Sequence, residues 1–400
     1  MEKLNLGVLG FGQRGMSMLK SVILEMDSVT VTAVGDLYED STTSAADAVE
    51  EKTGKRPFAT QNPSEVINRP DVDAVLVFTG WESHIPLAIE AMKAGKPVGV
   101  EVGGAYSVEQ CWDLVHTYEE TGTPVMMLEN CCFGRRELMV LNMVKEGLFG
   151  KIVHCDGGYC HDLRDEVSGG IVNRHYRLRN YTLRNCENYP THELGPIAKI
   201  LDINHGNRFV KLNSVASGAF GLHEYIAKNM PDDPLLNRRF AQGDVVTTVI
   251  TCAGGQTVRI TLDTTLPRPY SRQFTVHGTK GIYQEDNDSF FFDGDGDHFE
   301  WKSHWGNASE YAEKYDHPIW KEFIASGVRG GHGGMDWLTC NHFADCVING
   351  KPFYVDAYDM ATWMCVTALS EISIVNSGAP VDFPDFTNGK WILNENKTVL

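Results

Sequence analysis

One short stretch near the start of the chain restricts the fold more than any other. Residues 5–9 read as an apolar strand, and Gly10-Phe11-Gly12-Gln13-Arg14-Gly15 follows at once. A helical pattern then runs through Met16, Leu19, Ile23 and Leu24. Residues 29–35 form a second apolar, β-branched run that ends at Asp36. Glycines in this order permit a tight turn and let the backbone approach a pyrophosphate at a helix N-terminus. An acid about 20 residues beyond the turn is placed to accept hydrogen bonds from an adenosine ribose. Its charge also disfavours a 2′-phosphate. A G-x-G-x-x-G alone is weak, but strand, glycines, helix, strand and acid in sequence predict a Rossmann unit that takes NAD. Gly10, Gly12, Gln13, Arg14, Gly15 and Asp36 are its expected cofactor contacts.

The alternation continues. Strands are predicted over residues 74–78, 97–102 and 125–128, and helices over 84–94, 107–120 and 136–146. Short apolar strands alternating with amphipathic helices indicate an α/β fold with a parallel, doubly wound sheet. Ligands bind such sheets beyond the strand C-terminal ends. Trp81, His84, Glu101, Val102 and Asn130 therefore join the cofactor set, and Glu129 lies beside them. Gly147 and Gly150 mark a change of pattern, which predicts a Rossmann domain over 1–148 and a second domain over 149–400. Strands near 151–159, 209–218, 245–251, 257–263 and 273–277 make the second domain α+β, with a largely antiparallel sheet. Helices over 337–349 and 358–376 come last and could pack back on the first domain.

Charge narrows the partners. The formal net charge is −18, which disfavours nucleic acid and anionic membrane surfaces. No run is long enough to span a bilayer. The first strand begins at Leu4 with no export-signal pattern before it. The ten cysteines are scattered without C-x-x-C spacing and read as reduced, buried small hydrophobes. The expected setting is cytoplasmic, and assembly as a homo-oligomer is compatible with the sequence. Asp293-Gly294-Asp295-Gly296-Asp297 resembles the start of a calcium loop, but His298 stands at the sixth position and His304 at the twelfth. No metal site is expected.

A second concentration of chemistry lies in Glu187-Asn188-Tyr189-Pro190-Thr191-His192-Glu193-Leu194-Gly195-Pro196. Leu194, Ile197, Ala198 and Leu201 predict a buried helix starting near Pro190. Three residues along a helix would put Tyr189 and His192 on one face, where both could move protons. The same pattern also serves an ordinary helix start with a hydrogen-bonded histidine.

The N-terminal half resembles the glucose–fructose oxidoreductase and inositol dehydrogenase superfamily. Most of its members carry Glu-Lys-Pro after the fifth strand; this chain has Glu101-Val102-Gly103, which counts against a simple sugar dehydrogenase. Seven stretches, in order along nearly the whole chain, resemble glycoside hydrolase family 109. They are Trp81-x-x-His84, Glu101-Val102, Glu129-Asn130, Gly158-Tyr159-x-His161-Asp162-Leu163-Arg164, Tyr189-Pro190-Thr191-His192, Pro267-Arg268-Pro269-Tyr270-Ser271-Arg272 and Gly331-His332-Gly333-Gly334-Met335-Asp336. Residues 164–188 match less closely. The resemblance implies an NAD-dependent α-N-acetylgalactosaminidase acting on a small-molecule or glycan substrate. It implies catalytic roles for Tyr159, Tyr189, His192 and Glu129. Substrate contacts would come from Tyr159, Arg177, Tyr189, Pro190, Thr191, His192, Tyr270 and His332. A tyrosine base would need its pKa lowered by a cation such as Arg177.

Overall fold

The computed structural model describes residues 3–296 and 304–394. Those residues fall into two compact units. The first comprises residues 3–133 and 327–362, and the second 134–296, 304–326 and 363–394. The break thus falls at Phe133/Gly134, not at the expected 148/149. The helix Arg135–Lys145 packs against the helix Thr191–Ile200 of the second unit, which is why it leaves the first.

The first unit is built on a parallel sheet. Its strands are β1 (Leu4–Leu9), β2 (Val29–Gly35), β3 (Phe58–Thr60), β4 (Ala74–Val77), β5 (Val98–Val100) and β6 (Val125–Met127). They lie in the order β3-β2-β1-β4-β5-β6, every pair parallel. All residues of β4, β5 and β6 are buried, as expected where helices cover both faces. The strand order reverses between β1 and β4, the switch point where such sheets take ligands. The expected strand–turn–helix is present: β1 runs through Gly10 into the helix Gln13–Ser21. Helix Met335–Asn349, from far along the chain, also belongs here, and a Cβ at Gly99 of β5 would lie 3.3 Å from its Phe343.

The second unit holds the larger sheet. Its strands are β7 (Ile152–Cys160), β8 (Phe209–Ala216), β9 (Val245–Cys252), β10 (Thr257–Asp263), β11 (Thr275–Gly278), β12 (Gly281–Gln284), β13 (Ser289–Phe292) and β14 (Val381–Asp382). The order is β13-β12-β11-β7-β10-β9-β8-β14. Among the described strands of this sheet only β7 and β10 pair in parallel, so the largely antiparallel expectation holds. Side chains of β9 and β10 alternate between buried and half-exposed positions, the pattern of a sheet covered on one face. Helix Thr191–Ile200 seats on β7, so closely that a Cβ at Gly157 would lie 2.4 Å from the Cβ of Glu193. After β13 the acidic run makes a turn, with Phe292 N–H donating to Asp295. Asp297 and His298 of that run lie outside the described residues. All ten cysteines are buried and unbridged.

Candidate active site

The cofactor end of the first unit forms from the glycine turn outward. Gly10 has φ +89°, and a Cβ there would sit 2.6 Å from the Thr79 nitrogen, so only glycine fits. A Cβ on Gly15 would strike the Gly10 carbonyl oxygen at 2.0 Å. At Gly12 it would meet nothing within 4 Å, so this face of the turn is open to an approaching phosphate. Asp36, at the end of β2, accepts from Phe11 N–H at 2.6 Å and Tyr38 N–H at 2.9 Å. The acid expected to read the ribose therefore also braces the turn. His84 donates from Nε2 to the Thr79 carbonyl at 2.9 Å, since a carbonyl can only accept. Burial lowers the His84 pKa, which keeps the ring neutral and fixes the loop between β4 and its helix. These features fit a dinucleotide: an open glycine turn, a helix N-terminus behind it and an acid at the second strand.

Arg14 is held by two carboxylates. Its Nε donates to Glu101 at 2.7 Å, and its two terminal nitrogens donate to Asp336 at 2.8 and 2.9 Å. Glu101 also accepts from Val102 N–H at 2.9 Å. Asn130 donates to Asp336 at 2.8 Å, and His332 Nδ1 lies 2.7 Å from the same carboxylate. Burial pushes the Asp336 pKa up, but hydrogen bonds and charge from Arg14 and His332 outweigh it and hold the group below the usual carboxylate range. His332, expected among the substrate contacts, thus sits with the cofactor-end residues of the first unit. Glu129 is fully buried and accepts from Cys131 N–H at 3.1 Å.

The second unit gathers the aromatic cluster. Tyr159 lies near the end of β7. Tyr189 precedes the helix Thr191–Ile200, with Pro190 at its N-cap, and His192 is in the first turn. The expected pair therefore meets, although Tyr189 is outside the helix: its hydroxyl is 3.5 Å from His192 Nε2. The rings of Tyr159 and Tyr189 are 4.3 Å apart, and Tyr159 and His192 5.4 Å. Pro190 and Thr191 are buried between these side chains in the chain. Arg177 belongs to the helix Tyr176–Leu183 and is buried. Its guanidinium lies 4.7 Å from the Tyr189 ring centre and 5.7 Å from that of Tyr159. Glu166 pairs with Arg177 Nε at 2.7 Å. The Tyr270 loop is tied down on both sides. Ser271 exchanges backbone hydrogen bonds with Cys160, and Arg272 meets Glu137 at 2.6 Å. Tyr270 itself stays exposed, 5.1 Å from the His161 ring.

Two groups in this cluster were not among the expected site residues. His161 Nδ1 is 3.2 Å from the Tyr159 hydroxyl, and Glu166 holds Arg177. The signal for His161 was available, because residues two apart at a strand end share a face. Glu166 carried no such signal, since the fold of residues 164–188 sets its pairing. The pKa of Tyr159 also differs from expectation. Burial raises it, and the opposing charge of Arg177 does not restore it, so the phenol is protonated in the free protein. Burial and Arg177 both lower the pKa of His161, leaving a neutral ring.

The sheet order, glycine turn and acid define an NAD-binding Rossmann protein of the oxidoreductase type. The family model described as "Oxidoreductase family, NAD-binding Rossmann fold" matches residues 4–129. That described as "Glycosyl hydrolase 109, C-terminal domain" matches residues 133–393. The chain belongs to glycosyl hydrolase family 109, and its cofactor is NAD. It is similar to an alpha-N-acetylgalactosaminidase of Tannerella forsythia, 41% identical over 85% of this chain and 75% of that protein. A glycosyl hydrolase family 109 protein of Parabacteroides distasonis is 38% identical over 98% of this chain and 88% of that one. Among solved structures, a levoglucosan dehydrogenase in complex with NADH and levoglucosan superposes with a TM-score of 0.70 at 19% identity. It covers 96% of this chain and all of that chain (100%), a likeness of fold.

Proposed function

We propose that this protein removes terminal α-linked N-acetylgalactosamine by oxidation, elimination, water addition and reduction. The arrangement that supports this most directly is Tyr159, Tyr189 and His192 in ring contact around the buried Arg177 guanidinium. Bound NAD supplies a hydride acceptor, and later the returning hydride, at sugar carbon-3. It would be held by the glycine turn, Asp36 and the residues around His84, Glu101 and Asn130. With the 3-hydroxyl proton held by a protein base until the final reduction and carbon-3 a ketone, the hydrogen on carbon-2 becomes acidic and a protein base can remove it. The electron pair then expels the glycosidic oxygen from carbon-1, and that oxygen takes a proton. Water adds to carbon-1 of the enone, and a proton returns to carbon-2. The balance is one glycoside and one water giving sugar and aglycone, with no flanking carboxylate pair required. The cluster provides groups able to carry those protons, with a cation to stabilise a phenolate. Tyr270 and Arg177 would hold the sugar.

A panel of aryl α- and β-glycosides, read for both aglycone release and NADH absorbance, tests this. The expected result is release from the α-N-acetylgalactosaminide without net NADH. Steady NADH production from a free sugar, with no glycoside cleaved, would make the protein a dehydrogenase instead.

A further inference from the structure

The carboxylate of Asp336 has work beyond starting a helix. It reaches the strand ends of the first unit from the first turn of the helix Met335–Asn349, 206 residues past Asn130 in sequence, just after the loop of residues 330–334. That loop is conformationally costly. Gly330, Gly333 and Gly334 have φ of +81°, +65° and +104°, and His332, which is not glycine, has φ +49°. Left-handed non-glycine backbone persists where surrounding contacts over-determine it. The contacts are visible: a Cβ on Gly331 would lie 2.5 Å from the Asp336 carboxylate, so the loop is wrapped directly on that group.

What the carboxylate grips is the cofactor turn. Arg14 is the second residue of the helix that follows Gly12. Its guanidinium is engaged by Glu101 on one edge and, fork to fork, by Asp336 on the other. Glu101 follows β5, and Asn130, the second donor to Asp336, follows β6. One buried carboxylate therefore ties the glycine turn to the ends of two further strands. The Arg14 guanidinium, with those edges engaged, serves to set the turn.

We propose that Asp336 is a positioning residue for NAD: it fixes Arg14 and Asn130 in the arrangement the dinucleotide meets, and so slows the release of bound cofactor. The proposal rests on NAD binding at the glycine turn and not on the glycosidase chemistry.

The test loads wild-type and Asp336→Asn protein with NADH and chases with excess NAD, following loss of bound NADH fluorescence. Asp336→Asn should release NADH about tenfold faster or more, the scale of one lost hydrogen bond to a charged group. The thermal stabilisation gained on adding NADH, taken from each protein's own apo melting temperature, should shrink in the variant. Arg14→Lys, which keeps the charge but loses the fork, should act in the same direction and carries the test should Asp336→Asn not fold. Because both changes break one clip, the double variant Arg14→Lys/Asp336→Asn should be no faster than the worse single. Release as slow as wild type in either variant, or effects that sum in the double, would overturn the proposal. Wild-type protein that binds no NADH would instead refute the assignment of the turn.

Discussion

Burial keeps the Tyr159 phenol protonated, so it cannot serve as a base without passing its proton on. His161 is the acceptor within reach, at 3.2 Å, and its neutral ring can take the proton while Arg177 stabilises the phenolate. His161→Gln should lower kcat roughly a hundredfold, the range for losing a positioned acid–base group. NAD content should stay at the wild-type level. Unchanged kcat and an unchanged pH profile would remove His161 from the proton path. A second titrating group, Glu187, lies two residues before Tyr189. Burial pushes the Glu187 carboxyl up to about 8, opposed in part by the Tyr189 N–H. Its backbone is pinned by Ser370 and Thr367, so it cannot swing out to water. Folded protein then holds a proton that the unfolded chain loses above its ordinary value of 4.5. This contribution is complete below the unfolded pKa and is lost as pH rises through the folded one. Glu187→Gln should therefore gain stability relative to wild type between about pH 5 and pH 8. Urea unfolding at both pH values checks this; parallel curves for the two proteins would show that Glu187 is not protonated. Tyr189 and His192 were legible in the sequence as residue types in a pattern, and Arg177 only through the family resemblance. The upward direction of the Tyr159 shift was not, because burial is a property of the assembled unit.

Elements follow the sequence where periodicity is strong. Strands β1, β2, β4, β5 and β6 appear where apolar runs alternate with amphipathic helices. The strands β3, β12, β13 and β14 were not expected: unlike the equally short β4, β5 and β6, none of them is a wholly buried apolar run. The helix that carries His192 illustrates what packing adds. Its sequence predicts a start near Pro190, but its height over the sheet is set by Gly157 on β7. A Cβ there would lie 2.4 Å from Glu193 and 3.1 Å from Ile197, so the helix would have to lift. Gly157→Ala should cost about 1–3 kcal/mol, the usual scale of overpacking. It should also lower turnover by moving His192 away from Tyr159. Denaturant titration with a parallel assay checks both. A variant as stable and active as wild type would mean that the seat is looser than these distances imply.

At the scale of the whole chain, the boundary was the least legible feature. The chain leaves the first unit at Phe133, returns at Gly327 and departs again after Thr362. Only contacts between residues distant in sequence define such a division, as with Asp336 on Arg14. The chemistry, by contrast, is a property of the full protein with its cofactor, and it can be followed atom by atom in the product. On the proposed route, elimination removes the hydrogen from carbon-2 and water addition restores one there. Turnover of an aryl α-N-acetylgalactosaminide in deuterium oxide should therefore place deuterium at carbon-2 of the released sugar, wherever the protein base exchanges with solvent. Direct displacement at carbon-1 never touches that position. A thio-linked substrate gives an independent measure, because expulsion by elimination depends little on protonating the leaving atom. Cleavage of the S-glycoside together with deuterium at carbon-2 is the expected result. Full retention of the carbon-2 hydrogen, with the S-glycoside resistant, would mean that the tyrosine–histidine cluster does not act by the redox route.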